Sequence, residues 1–336
     1  MRTNKMEVEL VKATMKDVAK LAGVGVGSVS RVINNVPVKE STASKVKAAI
    51  KELNYEPDIY ARGLKTNKTQ TVALILPTVW HPFFSEFAYY VEEALEEKNY
   101  KMYLCNSDGK SAKEYEYIQM VKQNKVDGII GITYSDIDQY ISTTLPFVSI
   151  DRYFTEDVIY VTADNIAGGK IAANELKKRG AKNVAFIGGH QEIPNETKNR
   201  RKHFQLEAER LGLNCAVLDL HEPISDLISE VERFLVAHPE IDGIFTITDL
   251  AAVDVIKAIK KLEKRVPEDI QVIGFDGLKM TIATDYLVST IVQPVEEMAK
   301  TAVALLLDVI QGKGTPSRTV LPVFFAEGNT TKNVIL

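Results

Sequence analysis

The chain has 336 residues, 45% hydrophobic and 26% charged, an ordinary globular composition with length enough for two or three domains. No apolar run approaches the roughly 18 residues of a membrane span, the first residues lack the apolar stretch of an export signal, and Cys105 and Cys215 stand apart without metal-type spacing. A disulfide framework is excluded, no membrane contact is expected, and a reduced, cytoplasmic setting is.

Charge is unevenly spread. Residues 1–70 carry 13 Lys and Arg against 7 Asp and Glu, and the remainder 28 against 38, so a head of net +6 precedes a body of net −10. The asymmetry points to a head that meets a polyanion, although a merely solvated basic surface has the same count.

Residues 1–13, an N-terminal extension, suggest no role. Residues 14–57 predict three short helices. Thr14 is an N-cap with Asp17 three residues on, a variant capping box, and Val18, Ala19, Leu21 and Ala22 supply an apolar face. Gly23 and Val24 break the pattern, and a second helix carries Val26, Val29, Val32 and Ile33. Asn34-Asn35-Val36-Pro37 is a loop. Val46, Ala49, Ile50 and Leu53 give the third helix one buried face. Two short helices across a Gly-containing turn, braced by a third, form the helix-turn-helix pattern. The second helix is the one that enters the major groove. Its polar face offers Ser28, Ser30 and Arg31, and Arg31 can reach guanine O6 and N7 or a phosphate. Gly23-Val24-Gly25-Val26-Gly27 looks like the start of a dinucleotide-binding loop, but position 28 is Ser and a helix precedes it, so both contextual requirements fail.

The run Thr14-Met15-Lys16-Asp17-Val18-Ala19-Lys20-Leu21-Ala22-Gly23-Val24, then Ser28-Val29-Ser30-Arg31-Val32-Ile33-Asn34, then Asn54-Tyr55-Glu56-Pro57 and Ala61-Arg62-Gly63-Leu64, resembles the DNA-binding head of the lactose-repressor (LacI/GalR) family. The likeness covers nearly all the chain after residue 13. It implies that Val26 and Gly27 read bases, that Arg31 matches the family's Arg, that Asn34 contacts phosphate, and that Thr14 and Ser30 sit at backbone contacts. Two positions depart from the pattern: Gly25 stands where a Ser cap is usual, and Gly27 stands at a readout position. Glycine costs a helix about 1 kcal/mol against Ala. The resemblance with these departures predicts a helix that is loose without DNA and a narrow readout, with Val26 left to touch a thymine methyl.

Residues 58–70 form the hinge and linker. Pro57 stops the third helix, and Asp58 to Leu64 have room for one or two turns, marginal in water alone. The resemblance implies that two such hinges pack on a bent minor groove, with Leu64 as the wedge and Ala61 and Arg62 beside it. Gly63 departs from the family pattern and weakens the helix, and an ordinary linker is the alternative.

From Thr71, short apolar runs alternate with amphipathic stretches. Val72–Leu76, Tyr103–Cys105, Gly128–Ile132, Phe147–Ile150, Val184–Ile187, Gly243–Phe245 and Val272–Phe275 predict strands. Helices are predicted near 83–98, 111–124, 166–179, 200–211, 225–237, 250–262 and 294–311. Continuous apolar runs between helices mean parallel strands buried on both faces. The order repeats twice, so residues 71–336 predict an α/β body of two doubly wound parallel-sheet subdomains, similar to periplasmic binding proteins. The resemblance implies three crossings between the subdomains, near 161–164, 289–293 and 321–325. The N-subdomain is then about 71–161 and 292–321, and the C-subdomain about 162–291 and 322–336.

Ligands of such folds sit outside the strand C-termini. There the resemblance selects Phe83 and Phe84 as apolar contacts, Asp151 and Thr248 at strand ends, Arg200 as the ligand-binding Arg, and Asp276 as the main ligand carboxylate. Trp80, His81, Asp164 and His221 are further candidates by position. Carboxylates accept from hydroxyls, Arg donates to oxygens, and aromatic rings cover C–H faces, which suits a polyhydroxylated neutral ligand. For any one of these residues, a strand-end charge in a salt bridge is the alternative. Five scattered His residues, no G-x-S-x-G and no P-loop give catalysis no support, so no enzyme and no cofactor are expected.

The expectation is a cytoplasmic homodimeric repressor that binds a pseudo-palindromic double-stranded operator. A small sugar effector is expected to release it. Asp164-Asn165-Ile166-Ala167-Gly168-Gly169, Gly274-Phe275-Asp276-Gly277 and Leu321-Pro322-Val323 look like sucrose- or ribose-operon repressors. A co-repressor response to a purine or a sugar phosphate stays open. A free sugar-binding protein is disfavoured by the basic head. The absence of a heptad tail before Leu336 suggests a dimer.

Overall fold

The computed structural model describes residues 13–56, 69–123, 125–142, 144–154, 158–193, 195–279 and 285–334. The chain divides into two compact units, Met1–Thr69 and Gln70–Leu336. The extension before residue 13 and most of the hinge, with Ala61, Arg62 and Leu64, lie outside the described residues.

The first unit holds α1 (Met15–Ala22), α2 (Val26–Ile33) and α3 (Glu40–Glu52). Helices this short are marginal alone and need a shared core. Val18, Ala19, Ala22, Val29, Val46, Ala49 and Tyr55 supply it. Leu21 and Val26, expected on the apolar faces, are exposed, at 45% and 43%. Val18, Ala19 and Ala22 fill the stripe of α1, leaving Leu21 to one side. Val26 opens α2, at the end where nothing packs on it. Gly23 takes the left-handed conformation, φ 64°, that closes α1 and turns the chain into α2. The Gly23–Gly27 stretch is therefore a helix-to-helix turn.

The second unit carries two six-stranded sheets. The first contains β1 (Thr71–Leu76), β2 (Lys101–Asn106), β3 (Gly128–Gly131), β4 (Phe147–Ile150), β5 (Ile159–Ala163) and β11 (Arg318–Leu321), in the order β11-β5-β4-β3-β1-β2 and parallel throughout. The second contains β6 (Asn183–His190), β7 (Asn214–His221), β8 (Gly243–Thr246), β9 (Gln271–Asp276), β10 (Thr290–Val292) and β12 (Phe324–Ala326), in the order β12-β10-β9-β8-β6-β7. Only β12 is antiparallel to its neighbour. It follows β11 after two residues, with no helical crossover to reverse its direction.

The helices are α4 (Pro82–Glu96), α5 (Ser111–Lys122), α6 (Asn165–Lys178), α7 (Lys198–Arg210), α8 (Leu227–Ala237), α9 (Asp249–Lys261) and α10 (Val295–Ile310). The chain passes between the sheets at Asp164, between β10 and α10, and between β11 and β12. Strand order reverses between β1 and β3 in one sheet and between β6 and β8 in the other. These are the switch points outside which ligands of such sheets bind. Close helix packing sets the cleft wall. A Cβ on Gly169 of α6 would collide with the Arg200 carbonyl oxygen and lie 2.8 Å from the Phe204 nitrogen, so α6 and α7 approach this closely only with Gly there. Among the described residues, no helix is long and apolar enough to cross a membrane.

Candidate functional site

The head is built to present the start of α2. The Thr14 hydroxyl and backbone N–H both donate to Asp17 Oδ2 (2.7 and 2.9 Å), and the Asp17 N–H donates back to Thr14 Oγ1 at 3.4 Å. This reciprocal cap fixes the entry of α1. Gly25 caps α2 with no side-chain bond. Val26, Gly27, Arg31 and Asn34 are exposed, and Ser28 and Ser30 are half-buried. Asn34 Nδ2 donates to the Ser30 carbonyl at 2.7 Å, holding the end of α2 and orienting both residues. No carboxylate among the described residues pairs with Arg31, Lys39, Lys45, Lys47 or Lys51.

In the body, a cavity of about 510 Å³ opens between the sheets at their strand C-termini. Phe83, Phe84, Asp151, Arg200, Thr248 and Asp276 all line it. Phe83 and Phe84 open α4 just after β1, and their rings meet edge-to-face at 5.6 Å. Arg200 is 3% exposed. Its Nε donates to Asn165 Oδ1 (2.7 Å) and its Nη1 to the Ile247 carbonyl (2.8 Å), and its guanidinium lies 3.6 Å over the Phe275 ring. Its orientation is therefore set before any ligand arrives. Asp276 Oδ1 is 3.9 Å from Arg200 Nη1 and accepts from Gln293 Nε2 at 2.8 Å. Asp276 Oδ2 is buried with no partner among the described residues.

A hydrogen-bond chain links the lobes through the first crossing. Thr162 Oγ1 donates to Asp151 Oδ1 (2.6 Å), Asn165 Nδ2 donates to Thr162 Oγ1 (3.0 Å), and Arg200 donates to Asn165. A second tie runs through buried Glu196, whose N–H donates to the Asp151 carbonyl (2.8 Å). Its Oε1 accepts from Tyr160 (3.1 Å) and meets Arg318 (3.3 Å). Asp151 and Asp276 both sit at positive φ, 56° and 127°, so each strand end is strained to aim its carboxylate.

Burial dominates the ionisation of this site. It pushes the Asp151 and Asp276 carboxyls above their ordinary range, Asp276 well above, while Arg200 pulls both back. At 3.9 Å the guanidinium is at the limit of an ion pair, so for Asp276 burial wins. Burial, with Arg200 nearby, lowers His81 to about 4 and keeps that imidazole neutral.

Of the positional candidates, His81 lines the cavity and the others do not. Trp80 is 91% exposed, Asp164 caps α6 by accepting from the Ala167 N–H, and His221 points outward with its ring against His190. Thr248 also caps α9, accepting from the Ala251 N–H at 3.2 Å. Sequence reasoning did not reach Tyr134, Gln191 or Gln293, which line the cavity, or Asp249, which shapes it. Buried Asp249 accepts from the Gly277 and Leu278 N–H groups and from Thr290, and so fixes the loop after Asp276. Gln293 follows β10 at the second crossing, the one sequence signal that marked it.

A three-helix DNA-reading unit and a two-lobed cleft for small molecules, on one chain, define a ligand-responsive transcription regulator. Residues 14–58 match the pattern of the lacI family of bacterial regulatory proteins, and residues 173–331 match a periplasmic binding protein-like domain. The chain is 36% identical over 326 residues to a sucrose operon repressor of Pediococcus pentosaceus, covering 95% of this chain and 100% of the relative. It is 34% identical over 325 residues to a ribose operon repressor of Bacillus subtilis, covering 95% and 99%. A periplasmic binding protein/LacI transcriptional regulator of Alkaliphilus metalliredigens complexed with D-xylulofuranose superposes with a TM-score of 0.69 at 28% identity, covering 79% of this chain and 100% of that one. The chain belongs to the LacI family of bacterial regulatory proteins, which are DNA-binding transcription regulators and not enzymes.

Proposed function

We propose that this chain is a cytoplasmic homodimeric repressor of sugar-utilisation genes, released from its operator by a sugar in the cleft. The observation that carries the sugar half is the buried Asp276 carboxylate, with one oxygen unpartnered beside the fixed guanidinium of Arg200. A hydroxyl-rich ligand satisfies that oxygen, and Phe83 and Phe84 cover its C–H faces. Asp151 belongs to the first lobe and Asp276 to the second. A ligand that bonds both therefore favours one arrangement of the lobes. The relatives named for sucrose and ribose operons, and the neighbour holding D-xylulofuranose, support a sugar.

In the head, Val26 and Gly27 face bases, Ser28 and Arg31 extend the recognition face, and Thr14, Ser30 and Asn34 hold phosphates. Ala61, Arg62 and Leu64 engage the minor groove. Two heads on a two-fold dimer read a pseudo-palindrome. The sugar must bind the weak-operator form more tightly, because equal affinity shifts nothing.

A thermal-shift panel of free sugars on the full chain tests the effector reading. Saturation at 100 times the dissociation constant adds about 2.7 kcal/mol to stability. Arg200→Ala should erase the shift. A shift that survives in Arg200→Ala removes that residue from the site, and no shift with any sugar removes the sugar.

A further inference from the structure

The cleft contains two glutamine–carboxylate pairs that work the same way. Gln293 Nε2 donates to Asp276 at 2.8 Å, and Gln191 Nε2 donates to Glu222 Oε2 at 3.0 Å. In each pair the amide nitrogen faces the carboxyl oxygen, which turns the amide oxygen away from it. The two amide oxygens, Gln293 Oε1 and Gln191 Oε1, are buried with no partner among the described residues. With Asp276 Oδ2, the cleft thus holds unsatisfied acceptors in two separate places. Unsatisfied buried acceptors are costly and call for donors on the ligand.

The spacing of the two places sets the size of that ligand. Asp276 ends β9, and Gln191 stands one residue past β6. β8 lies between those strands, so the stations are two strand spacings apart, about 10 Å. That exceeds one sugar ring and matches two joined rings. The cavity of about 510 Å³ lies within the range of about 300–1,000 Å³ typical of small-molecule sites.

The charges set its chemistry. Of the lining cations, Arg201 is paired with Asp219, Lys198 bonds the Tyr153 hydroxyl, and Arg200 is held in place by Asn165, Ile247 and the Phe275 face. Asp151, Asp219, Glu222, Asp254 and Asp276 line the same cavity. Five acidic side chains against three cations make this lining a poor host for the added negative charge of a phosphate.

From this geometry we infer that Gln191 and Glu222 form a second recognition station of the effector cleft, and that the effector is an unphosphorylated sugar of two rings. The inference rests on the sugar-effector reading above. It is tested by titration calorimetry on the full chain with sucrose, cellobiose, maltose, lactose and trehalose, their component single-ring sugars, ribose, and sucrose 6-phosphate. The expected result is a two-ring sugar that binds at least tenfold more tightly than its component rings and than a phosphorylated form. Gln191→Leu should weaken two-ring binding at least fivefold more than it weakens single-ring binding, and Glu222→Gln should reduce the margin in the same direction. A single-ring or phosphorylated sugar that binds as tightly as any two-ring sugar overturns the inference and leaves the sugar reading standing. So does a Gln191→Leu variant that weakens both sizes alike. No binding by any of these sugars overturns both.

Discussion

Removing Arg200 exposes how the cleft is held. The side chain is 3% exposed, and Asp276, itself buried, has no closer cation. In Arg200→Ala the Asn165 Oδ1 and Ile247 carbonyl lose their donor, and Asp276 loses the charge that pulls its ionisation down. Leaving two buried acceptors without their donor costs about 1–3 kcal/mol each. At roughly 2–4 °C per kcal/mol for a body of this size, the melting temperature of the body should fall by about 10 °C. The loss should depend on pH in a stated direction. Without Arg200 the folded-state ionisation of Asp276 rises further, so the variant's deficit is constant while both folded forms hold the proton and grows as pH rises past the wild type's own raised value. Urea denaturation of wild type and variant at pH 5 and pH 8 measures this. The double variant Arg200→Ala/Asp276→Asn should recover at least about 1 kcal/mol at pH 8. A deficit equal at both pH values, with no recovery in the double variant, would show that Arg200 acts only by packing on Phe275.

Gly169→Ala should destabilise the body by about 1–3 kcal/mol and weaken effector binding, because its Cβ forces α7 and Arg200 outward; unchanged thermal unfolding would refute the close approach. Thr14→Ala should cost the head about 1 kcal/mol through the lost cap, read by circular dichroism of the isolated transition. His81, lowered to about 4 by burial, resists protonation when folded, so the stability it contributes is complete above its unfolded value near 6.5 and is lost as pH falls from there towards 4. His81→Phe should therefore lose about 2 kcal/mol less than wild type between pH 7 and 4.5, and parallel losses would contradict the shift. Leu64→Ala should weaken operator binding and leave effector binding intact; unchanged operator affinity would reject Leu64 as a wedge.

The helices and the central strands were legible because their signals are strong. Three-to-four spacing placed α6, α9 and α10, and β-branched runs placed β1, β4 and β9. β7 was invisible because Asn214–His221 is an edge strand, half-buried along most of its length, with Asp219 interrupting its apolar run. β10, β11 and β12 have three or four residues each and rest on their neighbours rather than on their own pattern. At the site, the family resemblance singled out Asp151 and Asp276 at strand ends and Arg200 on a helix, and the structure brings all three into one cavity. Gln191, Gln293, Thr162 and Asn165 carry no charge, and their parts follow only from what they bond in three dimensions. Asp249 was passed over for Thr248 beside it, although Asp249 is the residue that fixes the loop after Asp276.

Coupling between operator binding and occupancy of the cleft is the property to measure first. Its most direct test uses a DNA site selected in vitro by the full-length protein, and follows fluorescence anisotropy of that site with and without the sugar that binds the cleft. Tight, steeply salt-dependent binding to a pseudo-palindrome is expected. Saturating sugar should weaken that binding by about five- to 150-fold, the usual reach of such coupling. An operator affinity that stays the same while the cleft is saturated would contradict it.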